Sequence, residues 1–449
     1  MARVLVVSQQ RVRQFKNVGQ PGVVSTAVAG LATMVAANPV IVAVRLSPEI
    51  PPYGARANSR VQQPWRWRES LHWNDLRAVG KAAIIRAIGV GSGGQMLAQR
   101  VTDQQLAPDT HKKLGRVNTH ADSGDLVKAI VQDMYGSADV LQFVDIDRPV
   151  IGDSDVLVRV HAASLHIGDW HVMTGLPYML RIVGFGLRAP IIRVRGMDVA
   201  GTVESVGKSV SEFRSGDAVF GTCDGAFAEY ARAPETNLAL KPANVSLQQA
   251  AAVPTSAFAA LQALRNRGEI RPKHRVLIVG ASGGVGVFAV QIAKSFGAHV
   301  TGVCSTAKME MVRSLGADVV VDYTNGDFTK SAERYDIVLD TGGNRALGDL
   351  RRLLGLGGTL VLIGGEGGNC LLGGTSKWIH ALVIAPFVGQ RLRPLATAPN
   401  KKDLLLVKDL IESGKLMPVI DRTFALKDVP DAFRYLEKGN VRGKVVITV

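Results

Sequence analysis

The feature that most constrains this chain is a short apolar run that breaks into glycines, Val276-Leu-Ile-Val-Gly-Ala-Ser-Gly-Gly-Val-Gly286, and continues as Val287-Phe-Ala-Val-Gln-Ile-Ala-Lys294. Four large apolar residues ended by glycine read as a buried strand, and the segment after the glycines reads as a helix. Glycine between them lets the backbone turn tightly and approach a partner that a Cβ would hold off. A second strand follows at Gly297–Val303, a helix at Thr306–Leu315, and further strands at Asp318–Tyr323, Tyr335–Asp340 and Gly358–Gly364. This alternation predicts a doubly wound α/β fold, a parallel sheet covered by helices.

In that strand–turn–helix setting, Ala281-x-Gly283-x-x-Gly286 is a dinucleotide fingerprint with alanine in first place. The backbone N–H groups and the helix N-terminus behind them favour a pyrophosphate. The candidate cofactor contacts are Ala281, Gly283, Gly284, Val285 and Gly286 on the turn, with Gly364 at the end of the fifth strand. A site for NAD usually places an acid about 20 residues past the glycines, on the ribose hydroxyls. Here the second strand ends Val303-Cys-Ser-Thr-Ala-Lys308, offering hydroxyls and an ammonium instead. NADPH is the expected cofactor, with Ser305, Thr306 and Lys308 on its 2′-phosphate.

At 449 residues the chain can bury more than one core. Its net charge of +15 is uneven: residues 1–126 hold 16 Lys and Arg against 7 Asp and Glu, whereas 127–449 hold 37 against 31. The remainder is only mildly basic and shows no basic stripe interleaved with aromatics, so nucleic acid is not an expected partner. Cys223, Cys304 and Cys370 are far apart and form no C-x-x-C pair, which fits a reducing, cytoplasmic setting. The leader, 1–126, has a basic start, an uncharged Ala/Val-rich run from Asn17 to Val44 broken by Asn38-Pro39, and a Pro/Arg/Trp-rich stretch. Three readings stay open for it: disordered or non-native sequence ahead of a start near Val127, a targeting segment, or a membrane anchor.

From Lys128 the chain runs as short alternating strands punctuated by turns, the pattern of a compact β-rich unit ahead of the dinucleotide fold. Here the chain resembles the medium-chain dehydrogenase/reductase superfamily, in its zinc-independent quinone oxidoreductase branch, which includes zeta-crystallin-like and reticulon-interacting reductases. The matching pieces are Gly196-Met-Asp-Val-Ala-Gly-Thr-Val203, Gly216-Asp-Ala-Val219, Gly225-Ala-Phe-Ala-Glu-Tyr230, Ala250-Ala-Ala-Val-Pro254, the glycine turn, and Gly443-Lys-Val-Val-Ile447. The resemblance implies a GroES-like catalytic domain over 127–252, a Rossmann NADP-binding domain over 253–390, and a return segment, 391–449, that completes the first domain. It also implies a homodimer, and it places Tyr323 on the 2′-phosphate beside Lys308.

Zinc enzymes of this superfamily need a cysteine in an early loop, a Gly-His-Glu and a later cysteine, since zinc takes soft or imidazole donors. This chain has His166 at the early position and Gly196-Met197-Asp198 in place of the second. Zinc is not expected. His166, Asp169 and His171 have an H-x-x-D-x-H spacing, but Asp169 matches a loop-organising residue of the family, so no metal is assigned there either. Without a metal electrophile, conjugated acceptors fit best: a quinone or an α,β-unsaturated carbonyl delocalises charge itself. The candidate substrate wall is His166, Trp170, Tyr178, Met197 and Asp198. His166 is a candidate donor to the substrate oxygen, and Tyr178 a candidate proton donor.

Two apolar segments with basic residues, Leu176–Arg195 and Lys377–Arg393, flank this region. They read either as packing faces within or between subunits, or as peripheral contact with a membrane surface. The expected activity is NADPH-dependent reduction of a quinone or enone. The alternatives are an NADP-dependent alcohol or aldehyde dehydrogenase, and a non-catalytic nucleotide-binding protein at a membrane.

Overall fold

The computed structural model describes residues 126–364 and 370–449, so the expectations for the leader lie outside the described residues. Strands β1 (Leu126–Gln132) and β2 (Leu141–Asp147) pair as an antiparallel ribbon. The next strands are β3 (Asp155–Leu165), β4 (Asp198–Val206), β5 (Ala218–Thr222), β6 (Tyr230–Pro234) and β7 (Leu238–Leu240). β3 carries almost uninterrupted buried residues because it is paired on both sides, by β4 and by β6 and a later strand.

The second half opens with β8 (Arg275–Val279), β9 (His299–Cys304), β10 (Val319–Asp322), β11 (Tyr335–Asp340), β12 (Leu354–Leu362) and β13 (Arg391–Pro394). These six form one parallel sheet in the order β10-β9-β8-β11-β12-β13. β13 is a strand that the apolar pattern did not suggest. Finally β14 (Ile420–Ala425) and β15 (Lys444–Thr448) return to the first sheet, whose order is β14-β15-β3-β4-β5-β7. The fold is thus a GroES-like β unit joined to a Rossmann-type parallel sheet.

Helices Pro254–Gln262 and Gly286–Ser295 pack between the two sheets. Their Phe258 and Phe288 are fully buried, worth about 1.5–3 kcal/mol each in transfer from water. The same core runs from Ala162, Ala200, Phe220 and Val446 of the first sheet to Val276 and Ile278 of the parallel sheet, so one apolar interior joins the halves. A separate cluster of Leu277, Val338, Leu350 and Leu360 covers the opposite face of the parallel sheet. That explains the apolar runs within its strands, Val276–Val279, Ile337–Leu339 and Leu360–Leu362.

Chain direction across the parallel sheet reverses beside β8: one crossover leads to β9, and a later one returns to β11 on the other side. Loops leaving adjacent strands in opposite directions open a crevice at their carboxyl ends, where ligands of such sheets bind. Among the described residues no helix is long and apolar enough to cross a membrane.

Candidate functional site

The glycine turn lies at that crevice. Gly280 adopts φ +82°, and a Cβ there would meet the Thr341 Oγ1 at 2.5 Å. At Gly286 a Cβ would stand 2.1 Å from the Gly280 carbonyl oxygen and 2.7 Å from Ala281, closer than any real Cβ contact. The Gly283 N–H donates back to Gly280 O at 3.0 Å and the Val287 N–H to Gly283 O at 3.1 Å. Among the described residues the N–H groups of Gly284, Val285 and Gly286 have no backbone acceptor, and no side chain caps the ten-residue helix behind them. They form a cradle suited to an anion.

Ala281 is fully buried, its N–H donating to Val303 O at 3.0 Å, so it shapes the turn from inside the fold. Gly364 donates to Asp340 O at 3.1 Å, and a Cβ on it would lie 2.4 Å from Thr341 O, so it lets the ends of β11 and β12 close together. Lys444 completes the back of the cradle. Its Cδ is 3.5 Å from where a Gly284 Cβ would stand, and the neighbouring Gly443 N–H donates to Ser282 O at 2.9 Å.

The expected phosphate contacts divide. The Ser305 hydroxyl caps nothing and stands half-buried beside the end of β9. The Thr306 hydroxyl proton is donated to the Asp322 carboxylate, and a hydroxyl has only one to give. Lys308 donates to Val441 O at 2.9 Å, and its pKa is lowered, by burial first; nearby Asp421 opposes the shift and Arg442 adds to it. Tyr323 is exposed, with the Arg345 guanidinium 6.0 Å from its ring centroid.

Asp322 and Arg442 were missed by sequence reasoning. Arg442 directly precedes the Gly443-Lys-Val-Val-Ile447 piece that the resemblance had singled out, a signal that could have found it. Asp322 ends the third strand, one strand away from where an acid is sought.

On the other side of the crevice, His166 caps helix Ile167–Thr174. Its Nδ1 accepts the Asp169 N–H at 3.2 Å while its own backbone N–H donates to the Asp169 carboxylate at 3.0 Å. A neutral ring in that role carries its proton on Nε2, which is enclosed 3.5 Å from Asp169 Oδ2 and without a hydrogen-bond partner. Burial raises the Asp169 pKa, with His166 opposing. His166 therefore organises the loop as placed, and its Nε2 does not open onto solvent. We expect His166→Ala to cost about 1 kcal/mol and His166→Asn to keep the cap and the stability, as measured by denaturant unfolding. Equal losses in both variants would refute the capping role.

The expected substrate wall also includes Asp198. It is completely buried, accepting from Ser164 Oγ at 3.0 Å, the Thr255 N–H at 3.0 Å and the Thr255 hydroxyl. The Lys444 Nζ stands 3.7 Å from its other oxygen and donates to Ser256 Oγ at 3.0 Å. This seam ties β3 and β4 to the helix and strand behind the glycine turn. Three donors and the Lys444 ammonium thus surround the buried Asp198 carboxylate.

Trp170 donates to Glu437 Oε1 at 2.8 Å, and Met197 is half-buried at the mouth of β4. Tyr178 is exposed, and its hydroxyl makes no hydrogen bond within the described residues. Its backbone N–H donates to Cys370 O at 2.9 Å and that of Met179 to Leu371 O at 3.2 Å. Arg181 packs 4.7 Å from its ring centroid. The candidates Tyr178 and Ser305 thus keep unengaged hydroxyls, whereas Thr306, His166 and Asp198 are committed within the fold.

Two family models match the chain, an alcohol dehydrogenase GroES-like domain over residues 152–243 and a zinc-binding dehydrogenase over 315–447. The bovine (Bos taurus) mitochondrial NAD(P)H oxidoreductase RTN4IP1 is 33% identical over 375 residues, covering 74% of this chain and 92% of that one. The chain belongs to the medium-chain dehydrogenase/reductase superfamily. Within it, the chloroplastic NADPH-dependent alkenal/one oxidoreductase of Arabidopsis thaliana is 31% identical over 412 residues, covering 88% of this chain and 98% of that one. The solved quinone oxidoreductase of Coxiella burnetii superposes with a TM-score of 0.64 at 30% identity, over 72% of this chain and 99% of that one. The chain is therefore an oxidoreductase of the superfamily, with a nicotinamide cofactor.

The zinc in the description of one matching model finds no fit: among the described residues no three His, Cys, Asp or Glu side chains converge. The dinucleotide fits, on the open N–H groups and the absent Cβ of the turn.

Proposed function

We propose that this medium-chain reductase uses NADPH to reduce quinones and α,β-unsaturated carbonyl compounds, without zinc. The observation that carries the reading is the open cradle of Gly284, Val285 and Gly286, with Lys308 beyond the end of β9 bonded to Val441, the residue before Arg442. The activities named for the relatives agree with it. The cradle would hold the pyrophosphate, and Lys308, Arg442, Ser305 and Tyr323 the 2′-phosphate. When bound, the reduced nicotinamide supplies hydride to the conjugated acceptor. Tyr178, held by Arg181, by its own backbone bond to Cys370 and by that of Met179 to Leu371, donates the balancing proton from its hydroxyl. Asp198 and His166 hold the surrounding loops in place.

The division into a catalytic domain (127–252 with the return segment) and a cofactor domain (253 onward) belongs to this proposal, with β13 carrying the cofactor sheet to Pro394. So do the homodimer and the peripheral membrane contact. They are supported by the exposed Ile182, Val183, Leu187 and Ile191 near Tyr178, and by exposed Leu382, Val383 and Phe387.

The test is NADPH oxidation with a quinone and with an enal, with and without a chelator. Chelator-insensitive turnover of either is expected. Chelator-sensitive alcohol oxidation would favour the dehydrogenase alternative, and tight NADPH binding without turnover the non-catalytic one. In the same assay Lys308→Met and Arg442→Ala should each raise KM for NADPH about tenfold, the worth of one charge-assisted hydrogen bond. KM for NADH should move by less than about twofold in both, since it lacks the phosphate.

A further inference from the structure

We propose that Asp322 is a specificity-determining residue that lets this enzyme use NADH beside NADPH, by fixing a negative charge next to the place of the 2′-phosphate. The inference rests on reading the glycine turn as a nicotinamide dinucleotide site. β9 ends at Cys304 without an acid, yet β10 pairs with it in parallel so that Asp322 is the register partner of Cys304. That sets the two residues side by side, about 4.8 Å apart in the hydrogen-bonding direction. The Tyr323 N–H donates to Cys304 O at 3.2 Å and closes the corner.

The Asp322 side chain then leans across the end of β9. One oxygen accepts the Thr306 hydroxyl and the Asn325 Nδ2 at 2.8 Å; the other accepts the Thr324 N–H at 2.9 Å and its hydroxyl at 2.6 Å. These donors hold its carboxyl below the usual carboxylate range, the Thr306 hydroxyl foremost. No lysine or arginine pairs with it among the described residues. The carboxylate is thus charged, anchored and uncompensated.

An acid at the end of the second strand is what selects NAD in this kind of fold. Here the third strand delivers the same charge to the same corner, bonded to the threonine that follows the second strand. Lys308 and Arg442 attract a 2′-phosphate from one side, and Asp322 opposes it from the other. The result is a tempered preference between the cofactors instead of exclusion of one.

The test measures dissociation constants of NADPH and NADH by titration calorimetry on the full chain, for the wild type, Asp322→Asn and Asp322→Ser. Thermal unfolding is followed in parallel. Asparagine keeps an acceptor for the Thr324 N–H, and serine offers a second neutral replacement if asparagine disturbs the turn. Either neutral variant should tighten NADPH about fivefold, the effect of one unit charge a few ångströms from another in a water-like medium. NADH should stay within about twofold, and the gain should shrink as salt rises from about 0.05 to 0.5 M. An unmoved ratio of the two affinities, or equal shifts for both cofactors, overturns the proposal. A wild-type chain that binds neither dinucleotide overturns the cofactor reading as well.

Discussion

Gly286→Ala is expected to abolish NADPH binding and to destabilise the fold by at least about 3 kcal/mol, while Gly283→Ala leaves stability near wild type and weakens NADPH alone. The two glycines belong to one motif but face different neighbours. A Cβ at 286 would lie 2.1 Å from the Gly280 carbonyl and 2.7 Å from Ala281, both backbone atoms of the turn itself, so the helix would have to withdraw from β8. A Cβ at 283 meets only the Gly280 oxygen, at 3.4 Å, an ordinary contact. Its cost falls on whatever approaches the turn from the crevice, which we put at tenfold or about 1.4 kcal/mol. Thermal unfolding together with cofactor calorimetry separates the two. A Gly283→Ala protein that binds NADPH like the wild type would show that the turn does not meet the dinucleotide there.

Asp198→Ala should cost about 3–5 kcal/mol, because it strips the buried Lys444 of its nearest carboxylate and leaves Thr255 and Ser164 without their acceptor. Lys444→Met should cost less, since three donors still satisfy Asp198. The double variant should therefore fall well short of the sum, a coupling readable in a double-mutant cycle. The pH dependence gives an independent check. Burial lowers the Lys444 pKa, with Asp198 opposing, so the unfolded chain holds that proton more firmly than the native one. Stability from this residue then rises with pH between its lowered native value and about 10.4, and Lys444→Met should remove that rise. An additive cycle with an unchanged pH profile would mean that the pair is not coupled.

Much of the fold was legible because burial on both faces leaves a plain record: β8, β11 and β12 are continuous apolar runs, and the turn between β8 and its helix is a local motif. β13 was not legible. It reads Arg-Leu-Arg-Pro, an edge strand with only Leu392 buried and both arginines paired to Glu269, so neither period nor composition marks it. The glycine cradle could be named from sequence for the same local reason. Asp322 could not, because only strand pairing sets it beside the end of β9; Arg442 carried a single signal, its place directly before the Gly443–Ile447 piece. Residue type nominated Thr306, His166 and Asp198, but could not show that hydrogen bonds within the fold already engage them.

The position of β15 bears on how this protein comes to be folded at all. It is the last strand of the chain, yet it lies inside the first sheet, with Val445 and Val446 paired to Leu165 and Ser164 of β3. During synthesis the Ala162–Leu165 part of one edge of β3 must wait unpaired until the cofactor sheet and β15 have left the ribosome. Closing so distant a contact is slow and exposes a pairing edge meanwhile. Loss of β15 would thus damage a sheet most of whose other strands are made well before it, and the nascent enzyme depends on protection until that strand arrives.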